Sequence, residues 1–325
     1  ASATLIAESS ATLGGSVINS GASVVLSRGV CWSTLPSPTI ADSHTVDGNG
    51  IGSFTSCITS LVRGTPYYVR AYATNSYGTV YGNEVFFITP NFSDGQPCPN
   101  AATLTDRDGN TYNTVQIGAQ CWMKDNLKTT KYADGTSISH GNDTSSTIAY
   151  WYYPNGNPSN KSDYGLLYNW KAAMRNSSSS YNTPSGTQGI CPTGWHLPSC
   201  SEWDQLTDYV SSQSQYACGG NNTYIAKAMA DSVGWNSYAG SCAIGDTSSF
   251  NNATGFSARP AGAYYISSYS SYGNCGSFWS ATGEDFVTPR QALLCSFIYN
   301  QRNVHSASGT VIYASSGISV RCVKD

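Results

Sequence analysis

Along residues 1–90, apolar and polar positions alternate with period two in short runs broken by turn residues, a pattern that predicts strands. The runs fall at 11–17, 28–33, 52–60, 66–74 and 80–88, the spacing of a two-sheet sandwich. Between the third and fourth, Leu61-Val62-Arg63-Gly64-Thr65-Pro66-Tyr67 places a tyrosine where its hydroxyl can bond back to the preceding loop, as at a tyrosine corner. Trp and Tyr stripes on such strands read as core and cross-strand pairs before they read as a ligand platform. Pro90-Asn91-Phe92-Ser93-Asp94-Gly95-Gln96-Pro97 is rich in Pro, Gly and polar residues, so 91–97 is expected to be a linker.

From Cys98 onward helical periodicity appears. Leu166, Leu167, Trp170, Ala173 and Met174 share one apolar face of a short helix. Ser199-Cys200-Ser201-Glu202 is a capping box that starts a second helix, with Trp203, Leu206 and Val210 on its buried face. Residues 225–229 suggest a third helical turn ended near Gly234. Beyond about Asn251 the pattern is loops and short strands, until 317–323 alternates cleanly and predicts a core strand carrying Cys322. Two domains result, 1–90 and 98–325.

Composition adds a constraint on partners. Only 11% of the 325 residues are charged, with Lys+Arg 16 against Asp+Glu 19, whereas a polyanion-binding surface needs a basic surplus. Nucleic acid is therefore not an expected partner. No run of apolar residues is long enough to span a bilayer as a helix. The chain starts without Met or an apolar leader segment, so any secretion signal has been removed or lies outside this chain, and further modules upstream are expected.

Eleven cysteines occur with no Cys-x-x-Cys pair and no zinc-like spacing, so disulfides in an oxidising compartment are the expected role. The odd number leaves at least one thiol unpaired or joined to another chain. Cys31 and Cys57 are expected to bridge locally in the first domain. In the second, Cys98–Cys121 and Cys191–Cys322 are proposed as bridges. The latter closes a loop of more than a hundred residues and is worth on the order of 4 kcal/mol in the chain-entropy view.

Particular segments carry resemblances. Arg28-Gly29-Val30-Cys31-Trp32-Ser33, Tyr67-Tyr68-Val69-Arg70-Ala71-Tyr72-Ala73-Thr74-Asn75-Ser76 and Tyr81-Gly82-Asn83 resemble bacterial surface modules of the fibronectin type III kind, which implies an all-β spacer without chemistry. Asp106-Arg107-Asp108-Gly109-Asn110-Thr111-Tyr112, Cys121-Trp122-Met123, Tyr164-Gly165-Leu166-Leu167-Tyr168-Asn169-Trp170 and Cys191-Pro192-Thr193-Gly194-Trp195-His196-Leu197-Pro198 are similar to the FISUMP, or major paralogous, domain. Gly255-Phe256-Ser257-Ala258-Arg259-Pro260, Phe278-Trp279-Ser280 and Val320-Arg321-Cys322-Val323-Lys324-Asp325 extend that similarity over about 225 residues. The resemblance implies an α+β, loop-rich C-type-lectin-like fold, related to formylglycine-generating enzymes, in secreted or surface-anchored bacterial proteins. It implies no established activity.

Catalytic patterns are thin. In place of the Arg-Gly-Gly-Ser-Trp signature of the related enzymes the chain has Gly276-Ser277-Phe278-Trp279. Cys275 and Cys295 could in principle form an oxidase pair, and a structural disulfide is the plainer reading. His196, in a Trp-His-Leu-Pro run, reads as a packed residue ahead of a helix. No Gly-x-Ser-x-Gly, P-loop or Rossmann fingerprint occurs. Glu284-Asp285 would suit calcium only on a loop, and Trp235-Asn236-Ser237 only approaches the Trp-Asn-Asp of calcium-dependent lectins. No catalytic residue, metal or cofactor is expected.

What remains is a surface. The 54 residues from Ala263 to Ser316 contain six Tyr, eleven Ser and three Asn but only four charged residues, a composition suited to adaptable contact. In C-type-lectin-like folds this part of the chain contributes the ligand face. Tyr264, Tyr265, Tyr269, Tyr272, Trp279, Tyr299, Asn300 and Arg302 are the expected ligand-binding residues. The expected function is extracellular adhesion to a glycan or protein on another surface. A filament subunit whose Tyr-rich faces bury against copies of itself is the alternative, and an oxidase of the formylglycine-generating type is the third.

Overall fold

A computed structural model describes residue 6 and residues 10–89, 94–247, 251–284, 291–305 and 311–325. The chain divides into two compact units, Ala1–Phe92 and Ser93–Asp325.

The first unit is all-β. It carries β1 (Ala11–Val17), β2 (Ser27–Ser33), β3 (Ser43–His44), β4 (Gly52–Ile58), β5 (Pro66–Asn75) and β6 (Gly78–Ile88). β1 and β4 pair antiparallel, and the second sheet has the order β3-β2-β5-β6. Alternation turns Ala11, Leu13, Val30, Ile58, Val69 and Phe87 into one core, closed by Leu61 and Tyr67. The Tyr67 hydroxyl accepts a hydrogen bond from Val62 N at 3.0 Å, so the corner forms where the sequence places it.

The expected Cys31–Cys57 bridge is not formed. Both thiols are free, Cys31 buried and Cys57 exposed. On β4, Ser56 and Ile58 point inward, so period two turns Cys57 outward. Cys31 sits on the other sheet, where its Sγ donates to Pro38 O and Arg70 O.

The second unit carries β7 (Thr103–Thr105), β8 (Thr111–Ile117), β9 (Gln120–Met123), β10 (Ser139–His140), β11 (Tyr150–Tyr152), β12 (Leu167–Tyr168) and β13 (Trp195–His196). It continues with β14 (Ala263–Tyr265), β15 (Ser268–Ser270), β16 (Cys275–Glu284), β17 (Gln291–Ile298), β18 (Val311–Tyr313), β19 (Ile318–Ser319) and β20 (Val323–Lys324). A five-stranded sheet has the order β13-β20-β9-β8-β7, and a seven-stranded sheet the order β10-β11-β12-β19-β16-β17-β18. β14 and β15 form a separate hairpin.

Cores lie on both faces of the larger sheet. Trp279 and Leu294 face one core with Tyr168 and Trp170. Phe278, Cys295 and Phe297 face the other with Trp203, Leu206 and Val210. Those last three come from the one long helix, whose capping box is present as the sequence indicated. Ser199 accepts from Glu202 N and the Glu202 carboxylate accepts from Ser199 N.

The helices are α1 (Lys161–Tyr164), α2 (Trp170–Met174), α3 (Cys200–Ser212) and α4 (Ala226–Met229). The apolar run at 166–174 therefore splits. Leu167 and Tyr168 pair with both β11 and β19, because sheet partners on either side outbid a local helix, and the Asn169 side chain caps a helix starting only at Trp170. The helical turn expected at 225–229 is present as α4, which ends at Met229, ahead of Gly234. The terminal run 317–323 is likewise two short strands in different sheets. Buried Arg321 and Cys322 lie between them.

Three disulfides tie this unit: the two expected bridges, Cys98–Cys121 (S–S 2.03 Å) and Cys191–Cys322 (2.04 Å), and a third, Cys218–Cys242. Half of the expected linker is part of the fold. Asp94 accepts from Gly118 N, Tyr209 Oη and Tyr216 Oη, and Gly95 N and Gln96 O bond to Gln116.

Candidate functional site

The β14–β15 hairpin collects the tyrosines. Its register sets Tyr264 opposite Tyr269, and their rings lie 4.8 Å apart while Tyr152 approaches Tyr264 to 4.4 Å. The Tyr264 hydroxyl donates to Asn142 O. At 4% exposure Tyr264 is a bracing residue, not a contact for a ligand. Tyr269 is half-buried against Tyr264, with burial pushing its pKa up.

Tyr265 points to the other side of the hairpin. Its ring lies parallel to that of Tyr313, with centroids 5.9 Å apart. Together they border a cleft of about 430 Å³ lined also by Ser270, Cys275, Ser277, Gln291, Val311, Ile312 and Ile318. None of its described lining residues is charged. At the hairpin apex Ile266 and Ser267 both adopt left-handed backbone angles, φ 47 and 58. That is the two-residue reversal a tight hairpin uses, although a β-branched residue rarely adopts it. Ile266 stands 67% exposed beside the cleft wall formed by Tyr265.

Other expected ligand residues go elsewhere. Trp279 is fully buried and donates from Nε1 to Tyr168 O at 2.6 Å, so it belongs to the core. Tyr272 donates to Asn160 Oδ1 and packs on Tyr164. The Tyr299 ring meets Tyr238 edge-on at 5.8 Å. Asn300 is half-buried with its Oδ1 turned to the Gln301 amide. Arg302 is exposed, with its guanidinium over the Tyr224 ring. The eight residues thus do not form one face. Tyr313 was missed, although the Val311-Ile312-Tyr313 run is the kind of short alternating segment that edges a sheet.

Cys275 and Cys295 do not meet. Cys275 pairs in register with Ile298 and shares a face with Ser277, whereas Cys295 lies opposite Phe278 on the other face. Burial raises both thiol pKa values, the reverse of what a reactive thiolate requires. Asp285 lies outside the described residues, as does the Glu284 side chain, and with them the Glu284-Asp285 pair. Among the described residues no group of three His, Cys, Asp or Glu side chains could hold a metal ion, and no helix is long and apolar enough to cross a membrane.

A buried polar constellation centres on His196. Its Nε2 lies 2.7 Å from Glu202 Oε1 and its Nδ1 2.6 Å from Asp325 Oδ1. Burial pulls the imidazole pKa down, but the hydrogen bond and charge of Glu202, with those of Asp325, outweigh it and leave the pKa raised.

These features define a β-rich protein of two units, the second bridged by disulfides. A family model described as the Fibrobacter succinogenes major domain matches residues 115–324, and the chain belongs to that family. The family and the disulfides are consistent with an extracellular bacterial protein. No curated protein matches the chain.

Solved structures with local similarity include one titled "Myokine structure", at 18% identity over 27% of this chain and 90% of that one, TM-score 0.22. The sensor domain of the anti-sigma factor RsgI4 of Pseudobacteroides cellulosolvens matches at 15% identity over 28% and 89%, TM-score 0.21. The sixth fibronectin type III domain of human fibronectin type III domain containing protein 3 matches at 23% identity over 28% and 81%, TM-score 0.22.

Proposed function

We propose that this is a non-enzymatic adhesion protein of the bacterial cell surface. The first unit is a fibronectin type III-like spacer and the second a C-type-lectin-like head that binds a partner protein at the hairpin cleft. The observation that carries the reading is the uncharged cleft bordered by the parallel Tyr265 and Tyr313 rings, with Ile266 and Val311 exposed beside it. Apolar and aromatic groups held out in water on a braced hairpin suit a contact surface, and the absence of charge among the described lining residues suits an uncharged, apolar peptide segment.

Selection from a displayed random-peptide library on the full chain tests this. Enriched peptides should be apolar and aromatic. Each central tyrosine is worth about 2 kcal/mol, so Tyr265→Ala or Tyr313→Ala should weaken binding roughly thirtyfold with the melting temperature unchanged. Peptides that bind both variants as well as the parent would overturn the site.

A second reading, a filament subunit, draws on β6. It is the outer strand of its sheet, and Val80, Phe86 and Ile88 are exposed on it. Such an edge templates pairing with another chain. Sedimentation across a concentration series separates the two, since only the filament subunit assembles.

A further inference from the structure

A second cleft, of about 630 Å³, opens between the loop after α4 and the turn at Gly245-Asp246-Thr247. Among the described residues it shares no lining residue with the hairpin cleft. We propose that it is a binding site for a neutral saccharide, independent of the hairpin cleft and of any protein partner there.

The walls supply what a sugar ring needs. Trp235 is half-buried, held by its Nε1 hydrogen bond to Ala258 O at 3.2 Å and packed on the core beneath, and it lines the cleft. Tyr238 is 43% exposed, and its ring is steadied edge-on by Tyr299. Apolar C–H faces of a pyranose pack on such rings, while its hydroxyls need fixed acceptors and donors. Asp246, Thr247, Ser232 and Ser237 line the same space and provide them. Asn251 lines it too. Its Nδ2 is committed to Asp231 O and Ile244 O, while its sheltered Oδ1 has no donor among the described residues. A ligand hydroxyl would supply that donor.

The site is pre-formed, which lowers the cost of binding. Gly245 N donates to Tyr299 O at 2.7 Å, Tyr238 N to Gly245 O at 2.8 Å and Asn236 N to Gly273 O at 2.8 Å. Gly245 must be glycine, because a Cβ there would meet Asn236 O at 2.3 Å. The Cys218–Cys242 bridge closes the segment that carries both aromatic rings.

Charge decides between a sugar and a cation. Among the described lining residues Asp246 is the only charged one, and a carboxylate beside two aromatic rings would also suit an ammonium group. Behind it, however, lies buried Lys227, whose Nζ donates to Thr247 O at 2.6 Å and whose charge interacts with Asp246. That ammonium offsets the carboxylate, so the cleft has acceptors without a net negative charge. A neutral polyol gains there and a cation does not.

Affinity electrophoresis of the full chain in gels cast with neutral polysaccharides of glucose, galactose or mannose tests the proposal. At least one gel should retard the chain, equally with and without EDTA. Tyr238→Ala and Asp246→Asn should each weaken retardation at least tenfold, and Tyr265→Ala should leave it unchanged. Asp246→Asn keeps the side-chain shape, so it remains informative if Tyr238→Ala fails to fold. No retardation in any gel, retardation insensitive to Asp246→Asn, or loss in EDTA would each overturn the proposal. So would capture of a lysine-rich peptide that Asp246→Asn abolishes while no sugar gel retards the chain.

Discussion

Arg321 lays its guanidinium against the ring of Phe256, with Cζ 4.5 Å from the ring centre, at a position fully closed to water. Phe278 covers it from another side at 5.1 Å. Its Nε donates to Asn126 Oδ1, and its terminal nitrogens donate to Phe256 O and Ser257 O. This buried cation is matched by neutral acceptors and aromatic faces, which ties the last segment of the chain to the 256–257 loop.

Replacing Arg321 by Met would keep the bulk and remove every donor. Three buried acceptors would lose their partners, each costing about 1–3 kcal/mol. Arg321→Met should therefore destabilise the second unit by about 3 kcal/mol or more and lower its melting temperature by roughly 10 °C. Arg321→Lys should recover only part of this, because one ammonium cannot reach acceptors spread around a planar fork. Calorimetry of the variants reads both shifts.

Features set by local rules were legible in the sequence. The Ser199–Glu202 capping box, the Tyr67 corner and the period-two strands of the first unit depend on residues close along the chain, and all are present. Features set by tertiary competition were not. Leu166 and Leu167 fit a helical face, yet Leu167 is claimed by strands on both sides. Composition cannot say which ring faces the core, so it places Tyr264 on the surface, and for Trp279 it competes with the family resemblance, which implies a core residue; both rings are buried. Trp235 stands in a triplet that only approaches the lectin Trp-Asn-Asp and Tyr238 carries no local signal at all, because their partners Asp246 and Asn251 come together by folding alone.

His196 makes stability depend on pH. Its folded pKa is raised above the ordinary value of about 6.5, so the stabilisation from its ion pairs is fully present below that value and is lost as pH rises through the higher folded pKa. The melting temperature of the second unit should fall as pH rises above about 6.5, and His196→Gln should remove that slope. The variant should also be less stable at pH 6, by about 3 kcal/mol, because it removes the cation paired with the buried Glu202 carboxylate and leaves only backbone amides to hold that charge. Asp325 is the lesser partner, being largely exposed.

The five free thiols should label in an order set by burial. Cys57 is exposed and should react first with iodoacetamide at pH 8. Cys275 is partly covered and its pKa is pushed up by burial, so it should react slowly. Cys31, Cys200 and Cys295 are buried and should label only on unfolding. Peptide mapping after timed labelling checks the order, and rapid joint loss of Cys275 and Cys295 would contradict their placement on opposite sheet faces.

The Cys191–Cys322 bridge should matter most of the three, for two reasons that act together. It spans a sequence separation of 131, against 23 and 24 for the others, so in the chain-entropy account it removes the most freedom from the unfolded chain, about 4–5 kcal/mol against roughly 3. It also holds the segment carrying Arg321, so its loss frees the residue that fastens the chain end to the 256–257 loop. Both half-cystines are fully buried, whereas Cys121 and Cys218 are only partly covered, so mild reductant should open the two shorter loops first. Changing Cys191 and Cys322 together to Ala should lower the melting temperature of the second unit by roughly 10 °C or more and leave the first unit's transition unmoved. Changing Cys218 and Cys242 should cost less. Equal costs for the two pairs would show that native-state geometry, and not loop length, sets the value of these bridges.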